Sequence, residues 1–110
     1  MENTYKSKKL KKIVKKLIKF RDKRNWKQFH SGFTLSHKLQ IESAEVAELF
    51  EWNQEPVIDR LKEEIADVLI IILYLCNEYK INFLSAINDK IEKNKIKYPV
   101  DYNNPNWRSK

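Results

Sequence analysis

Along residues 34–52, Leu35, Leu39, Val46 and Leu49 recur at intervals that fall on one stripe of a helix turning about 100° per residue. The same periodicity places Leu10, Ile13, Val14 and Leu17 on one side of a helix over about residues 4–24. Residues 65–76 are apolar nearly all round, the pattern of a central helix enclosed by partners. That helix is expected to start with Pro56 in its first turn, after a break at 53–56, and to reach about Tyr79. A fourth helix should follow Asn82 as N-cap and stop near Lys97, because Pro99 cannot continue it. A loop through His30, Ser31 and Gly32 leads into the second helix, with Thr34 as its expected cap. A single glycine and three prolines leave few turn-formers for a β protein. The expectation is an all-α, four-helix bundle over residues 1–99 with an extended tail at 100–110, and with no repeat or linker dividing it.

Four acids break this pattern. Glu42 lies in the middle of the apolar stripe of its helix, and Glu45 comes one turn later at its edge, beside Ile41, Leu49 and Trp52. On the next helix Glu64 falls among Val68, Ile71 and Leu75, and Asp67 between Ile71 and Tyr74. Two helices thus each offer acids at i and i+3 toward the packed side. Unpaired carboxylates are costly in a core, so a cation belongs among them. Oxygen donors suit Mg²⁺, with Mn²⁺ as a substitute. Zinc fits poorly, since Cys76 is the only cysteine and His30 and His37 lie outside the acid pairs. A di-iron bundle adds His three residues after a Glu, and neither pair has one. Glu48, Glu51, Glu55 and Glu63 read as ordinary surface acids.

The order of these segments resembles a known family. ESAE at 42–45 and EIAD at 64–67 are similar to the paired acidic motifs of the MazG-like all-α nucleoside triphosphate pyrophosphohydrolases. RDKRNWKQFH at 21–30, AELFEW at 47–52 and KIEKNKIKYP at 90–99 resemble its dCTP pyrophosphatase branch, so the likeness covers about residues 10–100. The resemblance implies hydrolysis between the α and β phosphates, giving a nucleoside monophosphate and pyrophosphate, with dCTP or a related pyrimidine deoxynucleotide as substrate. It implies that Glu42, Glu45, Glu64 and Asp67 ligate metal, and leaves open which acid orients the attacking water. It places Lys90, Asn94, Lys97 and Tyr98 near the phosphates or sugar, Trp26 and Trp52 against the base, and His30 at a polar contact. Tyr74, beside the acids, reads equally as packing or function. A dimer or dimer of dimers is also implied, in keeping with the apolar surface a chain this short leaves exposed. The chain departs from the pattern at Phe33 and Thr34, where relatives often carry a basic residue and Asn, and at Ile71, where they carry an aromatic.

Charge adds one alternative. Lys and Arg number 22 against 15 Asp and Glu, a net charge of +7, and much of the excess lies in the first helix, at Lys8, Lys9, Lys11, Lys12, Lys15, Lys16 and Lys19. These lysines lack interleaved aromatics for base stacking, so a solvated helix face is preferred to a nucleic-acid contact. The competing reading is a non-catalytic basic helical module that binds nucleic acid or a partner protein, its inner acids serving only as ion-pair partners. A lone cysteine builds no intrachain disulfide framework, and no run approaches the roughly 20 apolar residues of a membrane span, so a cytoplasmic protein without membrane partners is expected.

Overall fold

The computed structural model describes residues 4–101, with side chains from Lys8 onward. Residues 1–3 and 102–110, most of the expected tail among them, lie outside the described residues. Four α-helices account for most of what is described: α1 (Thr4–Lys23), α2 (Gly32–Glu48), α3 (Ile58–Glu78) and α4 (Phe83–Lys97). Single 3₁₀ turns, Trp26–Phe29 and Glu51–Asn53, sit in the first two connections. There is no strand among the described residues, so the all-α expectation holds. No single described helix is long and apolar enough to cross a membrane. The chain divides into two compact units, one up to Lys80 and one from Ile81.

In the first unit α2 packs along α3, and α1 lies against α3 and the Trp26 turn. Leu35, Ile71 and Tyr74 form the buried centre, surrounded by Leu17, Ile18, Leu39, Ile70 and Leu75. The Tyr74 hydroxyl donates to the Leu17 carbonyl at 2.9 Å, which satisfies a polar group in the core and ties α3 to α1. Two expected helix starts are corrected. Ser31, not Thr34, is the N-cap of α2. Its hydroxyl accepts from the Thr34 amide at 3.2 Å while the Thr34 hydroxyl accepts from the Ser31 amide at 3.0 Å, a reciprocal box that satisfies two free donors. Pro56 precedes α3 rather than opening it, because Val57 stays extended (φ −69°, ψ 126°) and the helix begins at Ile58. The enclosure expected for α3 is also incomplete within one chain, since Ile65 and Leu69 remain exposed.

The second unit is α4. Asn82 caps it as expected, its side-chain oxygen accepting from the Ser85 amide at 3.0 Å. Lys95 and Lys97 lie in the last turn, where cations complement the helix dipole, and the Tyr98 amide closes the helix on the Asn94 carbonyl at 2.8 Å.

Candidate functional site

Three of the four singled-out acids meet. Carboxylate oxygens of Glu42, from α2, and of Glu64 and Asp67, from α3, all lie within 4.8 Å of one another. The convergence follows from packing α2 on α3 with an acid of each helix turned toward the contact. Glu42 is largely enclosed, its side chain 12% exposed, and its Oε2 pairs with Lys38 Nζ at 3.6 Å. Glu64 is half-buried and its Oε1 has no hydrogen-bond partner. Asp67 is exposed, so it stands at the mouth of the group rather than in the wall. Glu45 is not part of this trio but neighbours Glu64. It lines a cleft of about 380 Å³ with Glu48, Leu49, Glu51, Arg60 and Glu64.

The electrostatics of this cluster are those of a site built for positive charge. The Glu64 pKa is raised, first by its side-chain interaction with Glu45, then by desolvation and by the negative charges of Glu45 and Asp67, with Arg60 opposing. An orphaned carboxylate oxygen beside two more oxygen donors fits a hard divalent cation such as Mg²⁺. Glu42, Glu64 and Asp67 are the residues placed to hold it, with Glu45 adjoining through Glu64.

Glu42 and Asp67 also border a cavity of about 710 Å³ in the first unit. Its other end is aromatic, walled by Phe20, Trp26, His30 and Tyr74, with Leu17 and Ile71 beneath. The Trp26 ring meets Phe20 edge-on at 5.5 Å, and the Arg24 guanidinium lies 3.6 Å over the Phe20 ring, so the wall is braced from outside. The His30 ring meets Tyr74 edge-on at 4.6 Å. Its Nδ1 is buried with no partner, and burial, with the nearby Arg21 charge, lowers its pKa despite Glu78. The shift favours the uncharged ring, whose Nδ1 is without a hydrogen-bond partner. Lys16 and Lys38 supply the positive charge at the cavity edge.

Not every expected site residue joins this group. Trp26, 43% exposed, forms part of the cavity, but Trp52 is 88% exposed in the Glu51–Asn53 turn and is not among the lining residues. The two tryptophans are thus not brought together within one chain. Trp52 also has φ 62°, a left-handed conformation unusual for so bulky a residue and a mark of backbone strain. Lys90, Asn94 and Lys97 recur along α4 and Tyr98 is its C-cap, with Lys97 Nζ 5.3 Å over the Tyr98 ring. Residues that sequence reasoning missed include Lys16, Phe20 and Lys38. Lys38 could have been found from its position one turn before Glu42; Phe20 and Lys16 carried no such signal. The departures have local explanations. Phe33 packs on the His37 ring at 4.2 Å, Thr34 completes the capping box, and Ile71 is core.

Comparison with known proteins supplies a family. The MazG-like family model matches residues 35–107. The chain is 34% identical over 91 residues to dCTP pyrophosphatase 1 of Mus musculus and 33% identical to that of Homo sapiens, in each case covering 74% of this chain and 54% of the relative. It therefore spans about half the length of the curated relatives it matches. The crystal structure of a pyrophosphatase from Archaeoglobus fulgidus superposes with a TM-score of 0.79 at 36% identity, covering 83% of this chain and 93% of that one.

Proposed function

The chain belongs to the MazG-like family, and from that premise we propose that it is a Mg²⁺-dependent nucleoside triphosphate pyrophosphohydrolase that converts dCTP, or a related pyrimidine deoxynucleotide, to the monophosphate and pyrophosphate. The observation that carries the reading is the joining, in one cavity, of an aromatic slot at Trp26 to a converging carboxylate cluster at Glu42 and Asp67. A nucleotide has the same two ends, a flat base and a polyanion that needs cations. The names of the dCTP pyrophosphatase relatives and of the archaeal pyrophosphatase support the same activity.

Each residue then has a task. A divalent cation, when bound, neutralises phosphate oxygens and makes a water more acidic. Glu42, Glu64 and Asp67 would hold that cation, with Glu45 as the fourth acid. Trp26 offers a ring for the base to stack on, and stacking is tolerant of sequence because every base has a π-face. Choice among bases needs a hydrogen-bonding edge, which the unpartnered Nδ1 of the cavity-lining His30 supplies. Lys90, Asn94, Lys97 and Tyr98 are assigned to the phosphates and sugar on the family resemblance and on their spacing along α4. The exposed apolar residues of α2 and α3, Ile41, Ile65 and Leu69, favour a homodimer or dimer of dimers, in which Trp52 reaches the base site of a neighbouring copy.

The test is a panel of ribo- and deoxynucleoside triphosphates scored for pyrophosphate, alongside light scattering of the same preparation. A pyrimidine deoxynucleotide should lead the panel and the particle should exceed one chain in mass. A purine preference would overturn the base assignment, and an active monomer would overturn the assembly.

A further inference from the structure

Lys38 and Glu42 form an ion pair that helix stability does not explain. Lys38 Nζ lies 3.6 Å from Glu42 Oε2, with a side chain 60% exposed against 12% for the acid. On a helix, acid before base is the favourable order for such a pair, and here base precedes acid. Lys95 with Glu92 on α4 shows the ordinary case: acid first, 3.1 Å, both partners well exposed. Glu42 is moreover one of the three converging acids, and Lys38 borders the same cavity as Glu42 and Asp67.

We propose that Lys38 is a charge-exchange residue, pairing with Glu42 while the acid cluster lacks a divalent cation and binding a phosphate oxygen of the triphosphate once Glu42 has turned to that cation. The inference rests on the pyrophosphohydrolase reading. A lysine ammonium beside a doubly charged ion is repelled, so a cation among the acids weakens the Lys38–Glu42 pair. Lys38 is suited to move, being a compact charge on a flexible stem whose end is mostly in water. Its next anion is the phosphate entering the cavity it borders, so the positive charge that guards the acids becomes one that receives substrate. The exchange also keeps Glu42 partially neutralised before loading, when Glu64 Oε1 has no donor of its own.

Lys38→Met and Lys38→Arg test this in the full chain by two readouts. Mg²⁺ titration without nucleotide, followed calorimetrically, should give an affinity about two- to fivefold tighter in Lys38→Met, since a competitor for Glu42 has gone. The KM of that variant for the preferred triphosphate should rise about tenfold, and Lys38→Arg should restore most of it. Unchanged or weaker Mg²⁺ binding, or an unchanged KM with only a lower Tm, overturns the assignment of Lys38. If the wild type itself binds Mg²⁺ and releases pyrophosphate in that experiment, the parent reading survives the loss. A wild type that takes up no Mg²⁺ overturns both.

Discussion

The two ends of the 710 Å³ cavity are built on opposite principles. At the acid end, Glu42 and Asp67, with Glu64 beside them outside the cavity lining, crowd negative charge that the protein itself only partly neutralises, through Lys38 and Arg60. At the aromatic end, Phe20 meets Trp26 and His30 meets Tyr74 by ring contacts, with the Arg24 guanidinium over Phe20. On the proposed reading the first end would be completed by a cation, whereas the second is built from ring contacts already in place. Chemistry should therefore depend on the acid end in an all-or-none way, and affinity and selectivity should depend on the aromatic end by degrees.

The largest effect should come from breaking the acid end. Glu42→Gln or Asp67→Asn keeps the shape and removes charge, so triphosphate hydrolysis should fall by roughly a hundredfold or more while circular dichroism is unchanged. Retained activity in either variant would remove that acid from the site. Cation removal should register in stability as well. At free Mg²⁺ of a hundred times its Kd, unfolding should become harder by about 2.7 kcal/mol. Glu64→Gln should diminish that gain in a thermal melt.

The aromatic end should respond more gently. Loss of a stacking ring is worth roughly 1–3 kcal/mol, so Trp26→Ala should lower kcat/KM about tenfold to a hundredfold for every accepted nucleotide. His30→Ala should instead reorder the nucleotides. An unchanged ranking in steady-state assays would mean that His30 does not read the base.

The difference between the two ends is also a difference in what a sequence can display. Glu42 and Glu64 were visible because a helix repeats every few residues and an acid on the apolar stripe is out of place in one dimension. The four helices and the Asn82 cap were visible for the same local reason. Phe20 and Lys16 were not, because which edge of α1 borders the cavity depends on how α1 lies on α3, a relation no local pattern records. The choice of Ser31 over Thr34 as cap was hidden because both carry a hydroxyl and only backbone direction separates them. The open faces at Ile65 and Leu69 were hidden because periodicity announces an apolar face without saying whether this chain or another covers it.

Smaller effects sharpen the comparison at the link between the ends. Tyr74→Phe removes the bond to the Leu17 carbonyl and should reduce stability by about 1 kcal/mol, read in a denaturant midpoint, because the carbonyl loses its donor. His30 should add a pH dependence of known sign. Its folded pKa is lowered from 6.5, so the unfolded state binds the proton first, and the stability it contributes is present above about pH 6.5 and declines as pH falls below it. His30→Gln should flatten the Tm profile in that window, and an equal slope in both proteins would refute the assignment.

The most direct test of the central claim is ³¹P NMR of the purified chain with dCTP and Mg²⁺, repeated in excess chelator. The account predicts growth of the pyrophosphate and dCMP resonances with Mg²⁺ and none in chelator. Accumulation of inorganic phosphate with dCDP, or equal turnover without the cation, would contradict it.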